Sequence, residues 1–255
     1  MHLLSNESGE VLAQFTASSV LVAFDFDGTL APIVADRGDA QMRARTSELL
    51  ARVCSLYPCA VISGRSRPDV SARLGPGPIK YVVGNHGLEP GASLDEFEVE
   101  IAQARASLDG TLAGIAGVDV EDKRYSLSVH YRRSRNKRLA RSAILAAVAA
   151  LPVRTRVVNG KLVVNVVPER APNKGEALLA LRDAEQADTA LYVGDDVTDE
   201  DVFELDQPGR LLTVRVGESV NSAARYFLRD QIEIDRLLAR LVALRGRRRE
   251  RNSLE

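Results

Sequence analysis

The stretch that decides the fold is Val20-Leu21-Val22-Ala23-Phe24-Asp25-Phe26-Asp27-Gly28-Thr29. Its first five residues are a short, branched apolar run, which predicts a buried strand of a parallel sheet. Asp25 and Asp27 stand two residues apart, so an extended backbone points both carboxylates the same way. Open α/β sheets bind ligands at the carboxyl ends of their strands, so we expect chemistry here. The alternative is a strand end with two solvated acids, followed by a turn at Gly28.

Two further predicted strands also end in polar groups. The apolar run Cys59 to Ile62 leads into Ser63-Gly64-Arg65, and the run Ile79 to Val83 leads into Gly84-Asn85-His86-Gly87. A hydroxyl followed by glycine at a strand tip can offer its oxygen and the bare amides to a phosphate oxygen. Ser63 could equally cap the next helix. His86, in this glycine-flanked stretch at a strand tip, is better placed for a binding site than most histidines.

The α/β pattern returns in the last third of the chain. Asn173-Lys174-Gly175 opens a predicted helix, where a lysine is unfavourable unless an anion lies beside it. The strand Ala190 to Val193 is followed by Gly194-Asp195-Asp196-Val197-Thr198-Asp199-Glu200-Asp201, with five acids in seven residues. An acid-rich first helical turn accounts for one or two of them. We expect a divalent cation such as Mg²⁺, which prefers oxygen ligands, to account for the rest.

The middle of the chain has a different pattern. Apolar and polar residues alternate in Val118–Lys123 and Ser126–Arg132, which is typical of half-exposed antiparallel strands. A helix is predicted over Asn136–Ala150 with Ser134 as its cap, and a hairpin is predicted to turn at Asn159-Gly160. We therefore predict an α/β core of residues 1–88 and 171–255, with an antiparallel α+β insert of residues 89–170. One face of the insert carries Glu121, Lys123, His130 and Arg132, as either a solvated surface or a binding surface.

Length and composition limit the function classes. The 255 residues suggest one or two domains, and the net charge of -1 gives no general attraction to nucleic acid or to a membrane surface. We see no apolar run of about 18 residues and no signal segment. We therefore expect a cytoplasmic monomer that acts on a small molecule. The two cysteines, Cys54 and Cys59, are expected to stay reduced.

The polar strand ends suit phosphoryl transfer through an aspartyl phosphate. A carboxylate nucleophile divides one difficult displacement into two easier steps, and a metal ion and a lysine can stabilise the charge that develops.

These motifs, in this order, resemble those of the haloacid-dehalogenase-type phosphatases. The carriers are Asp25-Phe26-Asp27-Gly28-Thr29, Ser63-Gly64-Arg65, Lys174-Gly175 and Gly194 to Glu200. Three further features resemble the trehalose-6-phosphate phosphatase family. They are Asn85-His86-Gly87, the Gly-Asp-Asp-x-Thr-Asp-Glu form of the last motif, and Val120 to Lys123 leading to His130-Tyr131-Arg132. The resemblance covers residues 20–230. It implies a Rossmann-like core with a mostly parallel sheet and an inserted mobile α+β cap.

The resemblance also implies roles for individual residues. Asp25 would attack phosphorus, and Asp27 would protonate the leaving sugar oxygen and then deprotonate the hydrolytic water. Ser63 and Lys174 would hold the phosphoryl oxygens. Mg²⁺ would be bound by the Asp25 carboxylate, the Asp27 carbonyl and Asp195, with Asp196 and Asp199 as support. The residues implied in substrate binding are Gly64, Arg65, Asn85, His86, Glu121, Lys123, His130 and Arg132.

Two departures from the family pattern affect the sugar and not the chemistry. The family usually has a glutamate before His-Gly, where this chain has Asn85. It also usually has a glutamate in the strand before the lysine motif, where this chain has Asn165 or Val166. Loss of one acceptor can change the preferred ligand. Three functions follow: a trehalose 6-phosphate phosphatase, a phosphatase for sucrose, glucosylglycerol or mannosylglycerate phosphate, or a non-catalytic sugar-phosphate-binding module.

Overall fold

The computed structural model describes residues 1–5, 8–91, 94–205 and 207–252, with side chains described as far as residue 246. The strands are β1 (Val20–Phe24), β2 (Cys59–Ile62), β3 (Tyr81–Val83), β4 (Asp119–Asp122), β5 (Leu127–His130), β6 (Thr155–Gly160), β7 (Val163–Pro168), β8 (Thr189–Gly194), β9 (Leu211–Val216) and β10 (Tyr226–Leu228). The α-helices are α1 (Gly9–Ala17), α2 (Ala44–Cys54), α3 (Arg67–Leu74), α4 (Leu94–Leu112), α5 (Lys137–Ala149), α6 (Lys174–Ala184), α7 (Glu200–Phe203) and α8 (Ile234–Asn252).

Six strands form one sheet in the order β10-β9-β8-β1-β2-β3, and every neighbouring pair is parallel. The apolar residues of β1 are buried on both faces: Val22 and Phe24 belong to one core cluster, and Leu21 and Ala23 to another. This two-sided burial explains why the run is continuously apolar. The chain passes from β1 to β2 on one side and returns through β8 on the other. The crevice between β1 and β8 is therefore the switch point where such sheets bind ligands.

A second, four-stranded sheet has the order β4-β5-β7-β6, and all its pairs are antiparallel. Leu127 and Val129 of β5 and Val164 and Val166 of β7 face a core cluster shared with α4 and α5. The intervening residues lie on the opposite face. We call this sheet, with α4 and α5, the antiparallel unit.

The prediction of an α/β fold with a mostly parallel sheet and a separate antiparallel sheet is confirmed. The predicted hairpin turn is wrong by two residues: Gly160 pairs with Val163, so the turn is Lys161-Leu162. This register keeps Val164 and Val166 in the core and leaves Asn165 on the other face. Gly160 serves close packing instead, since a Cβ there would lie 2.7 Å from Val163 Cγ1.

The predicted caps also differ from the structure. Asn136, not Ser134, caps α5 by accepting a hydrogen bond from Leu139 N. Ser66, not Ser63, caps α3 by accepting one from Asp69 N. Within the described part of the chain, no helix combines the length and apolar character that a membrane span requires.

Candidate active site

Two carboxylates meet at the switch point of the parallel sheet. Asp25 follows β1 and is 4 % exposed, and Asp195 follows β8. One carboxylate oxygen from each, together with one from Asp199, lies within 4.8 Å of the others. Gly28 makes this approach possible: it has φ +76°, and a Cβ there would lie 2.1 Å from Asp195 Oδ2. The turn after β1 thus requires glycine for two reasons, its backbone conformation and the proximity of Asp195.

Lys174, at the first turn of α6, lies fully buried between two of these acids. Its Nζ is 2.7 Å from Asp199 Oδ1 and 3.0 Å from Asp25 Oδ1. Burial alone would lower the pKa of Lys174, but the charges of Asp199 and Asp25 raise it above its ordinary value. The lysine is therefore a fixed cation beside Asp25, as its unfavourable position at a helix start predicted.

Asp199 accepts four hydrogen bonds and is fully buried. Lys174 Nζ and the hydroxyl of Tyr192 donate to Oδ1, each at 2.7 Å. The amides of Asp195 and Asp196 donate to Oδ2, at 2.8 and 2.9 Å. With both oxygens occupied in this way, Asp199 holds the loop after β8 in place and orients Lys174.

Burial and neighbouring acids shift the pKa values of the carboxylates at the switch point. Burial raises the pKa of Asp25 well above its ordinary value, against the lowering effect of Lys174. Burial, with the charges of Asp199 and Asp196, raises the pKa of Asp195 to about 7. Acids concentrated in this way repel one another, and a cation or a proton relieves the repulsion.

The run of five acids after β8 has more than one role. Glu200 is neutralised by Arg215 Nη1 at 2.9 Å and accepts from the amide of Ala223. Asp199 also lies beside Asp25, but hydrogen bonds occupy both of its oxygens, which leaves Asp195 as the better candidate ligand of the run. The expectation that a cation accounts for most of the run is thus too broad, because local ion pairs and hydrogen bonds already satisfy part of it.

Asp27 is paired with Arg65. The guanidinium donates from Nε to Asp27 Oδ2 at 2.6 Å and from Nη2 to Oδ1 at 2.7 Å. Nη1 of the same group donates to Asp69 Oδ2 at 2.7 Å. Burial would lower the pKa of Arg65, but these two carboxylates raise it, so the group is a permanent cation. Arg65 therefore sets the orientation of Asp27.

The tips of β2 and β3 pack against each other. Ser63 is fully buried, and its Oγ accepts a hydrogen bond from Arg65 N at 3.2 Å. The His86 ring packs against Gly64, and its Cε1 would lie 2.5 Å from a Cβ on that residue. Neither ring nitrogen of the buried His86 has a hydrogen-bond partner among the residues that the structure describes. Burial, helped by Lys123, Lys174 and Arg156, lowers the pKa of His86 well below its ordinary value, so the ring is neutral.

A cleft of about 740 Å³ separates the edge of the parallel sheet from the antiparallel unit. Its lining includes most of the residues singled out from the sequence: Asp25, Asp27, Gly64, Arg65, His86, Glu121, Lys123, His130, Arg132, Lys174 and Asp195. The polar face of the antiparallel unit thus faces the carboxylates across the cleft.

Side chains of the antiparallel unit contact the parallel-sheet part across this cleft. Lys123 Nζ donates to the carbonyl of Gly64 at 2.8 Å. Glu121 accepts from Arg37 and lies 3.1 Å from His130 Nε2. Burial would raise the pKa of Glu121, but His130, Lys123 and Arg37 lower it, so the carboxylate is charged.

Asn85 is not among the residues that line the cleft. Its side chain donates to Glu89 Oε2 at 2.7 Å and to the carbonyl of Lys123 at 3.2 Å, and accepts from Ser126 Oγ. Its φ of +49° lies in the left-handed region, which asparagine tolerates better than most residues. The structure therefore separates Asn85 from the other candidate substrate-binding residues, because its amide joins β3 to the β4–β5 turn.

Sequence reasoning missed two residues that the structure brings to the site. Tyr192 lies inside β8, and its apolar context gave no sign that its hydroxyl reaches Asp199. Arg37 lies in a loop without a motif, and its contacts with Glu121 and His130 depend on how the two sheets face each other. Asn165 was noted as a departure, and it does line the cleft.

The parallel sheet with its switch point, combined with the separate antiparallel unit, defines the fold of the haloacid-dehalogenase-type phosphatases. The C-terminal domain of the C. albicans trehalose-6-phosphate phosphatase has this fold, with a TM-score of 0.76 and 23% identity over 93% of this chain and 97% of that one. A P. falciparum IMP-nucleotidase shares it at a TM-score of 0.57 and 14% identity, covering 94% and 72%. The C-terminal domain of the Candida albicans trehalose synthase regulatory protein shares it too, with a TM-score of 0.68 and 14% identity, covering 92% and 97%.

The sequence comparisons identify one family within this fold. The trehalose-phosphatase family model matches residues 23–231, and the chain belongs to that family. It is 36% identical over 197 residues to the trehalose-phosphate phosphatase of Mycobacterium avium, covering 72% of this chain and 50% of that protein. It is 34% identical over 239 residues to that of Mycobacterium ulcerans, covering 87% and 61%. The chain thus spans between half and about three-fifths of the length of these relatives.

Proposed function

We propose that the protein is a Mg²⁺-dependent phosphatase that hydrolyses trehalose 6-phosphate through a phosphoryl ester on Asp25. One observation carries the proposal: Asp25, Asp195 and Lys174 form a charged cluster at one wall of a cleft whose other wall is polar. Membership of the trehalose-phosphatase family supports the substrate.

The donors in the cluster fit a magnesium ion. The candidate ligands are hard carboxylate oxygens. Asp25 Oδ1 forms an ion pair with Lys174 Nζ at 3.0 Å but accepts no hydrogen bond from the residues that the structure describes. We assign the ion to the carboxylates of Asp25 and Asp195 and the carbonyl of Asp27. Asp199 fits a supporting role better, because donors occupy both of its oxygens. Bound Mg²⁺ would supply electrostatic stabilisation of the phosphoryl oxygens.

The residues of the cleft then have distinct roles in two displacements. An oxygen of Asp25 forms a bond to phosphorus as the bond to the sugar oxygen breaks, and Asp27 gives that oxygen its proton. A water molecule next loses a proton to Asp27, attacks phosphorus and releases the Asp25 carboxylate. Lys174 and the loop of Ser63 and Gly64 hold the phosphoryl oxygens throughout.

We assign sugar recognition to residues 89–170, acting as a cap over a core of residues 1–88 and 171–255. Glu121, Lys123, His130 and Arg132 line the cleft from the antiparallel unit, where they can contact hydroxyl groups. A carboxylate, an ammonium and an imidazole together offer both acceptors and donors, as a polyhydroxyl ligand needs. The cytoplasmic location and the monomeric state stay predictions, and gel filtration of the purified chain would test the second.

A different glycosyl phosphate is the second candidate, and Asn165 is the observation that favours it. The resemblance leads us to expect a glutamate in this strand, but Asn165 lines the cleft instead. Its Oδ1 accepts from Ser128 Oγ at 2.6 Å, and its Nδ2 donates to the carbonyl of Val158 at 3.2 Å. The local pairing of this amide leaves less hydrogen-bonding capacity for a sugar than a carboxylate would offer.

Phosphate release from a panel of esters tests both candidates. The panel contains trehalose, sucrose, glucosylglycerol and mannosylglycerate phosphates, each with and without Mg²⁺. We expect trehalose 6-phosphate to have the highest kcat/KM, no release without the metal, and no turnover by Asp25→Asn. Asp109→Asn, which changes an exposed acid of α4, is the matched control. A higher kcat/KM for another ester would move the substrate assignment to it, and no release from any ester would favour a binding module.

A further inference from the structure

One side chain from the loop after the first strand reaches across the cleft to the antiparallel unit. Arg37 begins a short helical turn, Arg37–Asp39, which Asp36 caps by accepting from Gly38 N at 2.8 Å. Arg37 Nη1 contacts Glu121 Oε2 and lies 2.6 Å from His130 Nε2. A single guanidinium thus contacts side chains of both β4 and β5.

Hydrogen bonds from two other arginines hold the backbone around Arg37 in place. Arg65 Nη2 donates to the carbonyl of Arg37 at 2.9 Å, and Arg73 Nη1 donates to the carbonyls of Gly38 and Ala40, each at 2.9 Å. Asp69 pairs with both Arg65 and Arg73. The guanidinium therefore extends from a backbone segment that these hydrogen bonds hold in place.

Glu121 is only partly occupied by these contacts. Arg37 and His130 both approach Oε2, while Oε1 accepts no hydrogen bond from any residue that the structure describes. The Glu121 side chain is 23 % exposed and lines the cleft. One carboxylate oxygen is thus fixed by two partners, and the other is available to a hydroxyl group in the cleft.

We propose that Arg37 is a positioning residue for substrate binding, which holds Glu121 from the opposite wall so that Glu121 Oε1 can accept a hydrogen bond from a sugar hydroxyl. This inference rests on the proposed function and adds to it a residue outside the four motifs. The fixed ion pair orders the long side chain of Glu121 before the sugar binds, so binding loses less conformational entropy.

The kinetic test compares Arg37→Ala with Arg45→Ala, which removes an exposed arginine of α2 whose partner Glu48 lies 4.0 Å away. We expect Arg37→Ala to raise KM for trehalose 6-phosphate about tenfold, the order expected for one side chain that must be ordered on binding. KM for p-nitrophenyl phosphate, which has no sugar hydroxyls, should rise much less. Arg45→Ala should match the wild type for both esters.

A double-mutant cycle tests whether Arg37 acts through Glu121. The KM effects of Arg37→Ala and Glu121→Gln should be strongly non-additive, because both changes disturb the same carboxylate. Additive effects, equal increases in KM for both esters, or a lower KM in Arg37→Ala would each overturn the proposal. The last result would mean that Arg37 competes with the sugar.

Hydrogen exchange without any added sugar separates this inference from the proposed function. We expect Arg37→Ala to increase backbone exchange in residues 119–130 relative to the wild type and to Arg45→Ala, because the strands lose their link to the loop. Unchanged exchange would overturn the role of Arg37 whatever the substrate. Increased exchange in a protein that releases no phosphate from trehalose 6-phosphate would leave the link standing and reject the substrate assignment.

Discussion

The guanidinium of Arg65 donates to both carboxylate oxygens of Asp27, at 2.6 and 2.7 Å. A two-point contact between planar groups fixes orientation as well as charge. Because Asp27 is the proposed general acid and base, its contact with Arg65 fixes the orientation in which the Asp27 carboxylate donates and accepts a proton. The same arginine also binds Asp69 and the carbonyl of Arg37, so the orientation of Asp27 depends on several elements of the fold.

Arg65→Lys should reduce kcat for trehalose 6-phosphate about tenfold, part of the factor that general acid–base catalysis contributes. Lysine keeps the charge but cannot make the two-point contact. The loss should be smaller for p-nitrophenyl phosphate, whose leaving group needs no proton. Arg67→Lys is the control, because Arg67 Nε binds the carbonyl of Val82 away from the carboxylates. Equal losses for both esters would show that Arg65 does not act through protonation of the leaving group.

Asp199→Asn should destabilise the fold by about 3 kcal/mol, the order for removing one partner of a buried ion pair. Among the described residues, the change leaves Asp25 as the remaining acidic partner of Lys174. It also places a side-chain amide among hydrogen-bond donors such as the Tyr192 hydroxyl. Urea unfolding followed by circular dichroism measures the free energy of unfolding. Asp183→Asn, at an exposed acid that pairs with Arg182, should change it little. A comparable stability for the two variants would contradict the structural role of Asp199.

Gly28→Ala should weaken activation by Mg²⁺. Its Cβ would overlap Asp195 Oδ2, and the φ of +76° would be strained for alanine. We expect a higher Mg²⁺ concentration for half-maximal activity, together with a lower melting temperature. Gly77→Ala is the matched control, since a Cβ there meets nothing within 4 Å. Normal Mg²⁺ activation of Gly28→Ala would argue against Asp195 as a ligand.

The burial of neutral His86 should make the protein less stable in mild acid. Burial, with Lys123 and Lys174, lowers the pKa of His86 in the folded chain, whereas the unfolded chain has the ordinary value of about 6.5. At this residue the unfolded state therefore binds more protons below that pH, so the contribution of His86 to stability falls as the pH drops through about 6.5. His86→Asn, which suits the φ of +60°, should flatten the fall in melting temperature between about pH 7 and pH 5. Equal slopes for the two proteins would contradict this reading.

The sequence predicted the strands that position the chemistry because their signals are local. Val20–Phe24 and Cys59–Ile62 were each recognised from a continuous apolar run with a polar or glycine boundary. Parallel pairing then brings the carboxyl ends of β1 and β8 together, so the proximity of Asp25 and Asp195 follows from strand order.

What the sequence did not predict depends on register and on contacts between distant segments. The turn at Lys161-Leu162 is set by the pairing of β6 with β7, which overrides the local preference of Asn159-Gly160. The position of Asn85 depends on the β4–β5 turn that packs against it. Arg37 meets Glu121 across two sheets, which no local pattern encodes.

Chemical trapping of the phosphoryl group on Asp25 tests the central claim most directly. The protein is mixed with trehalose 6-phosphate and Mg²⁺, quenched during turnover and treated with borohydride, which reduces an acyl phosphate to an alcohol. We expect homoserine at position 25 in the peptide mass spectrum, and unmodified residue 25 when the substrate is omitted or Asp25→Asn is used. Turnover without any modification at position 25, or with homoserine at Asp27 or Asp195 instead, would contradict it.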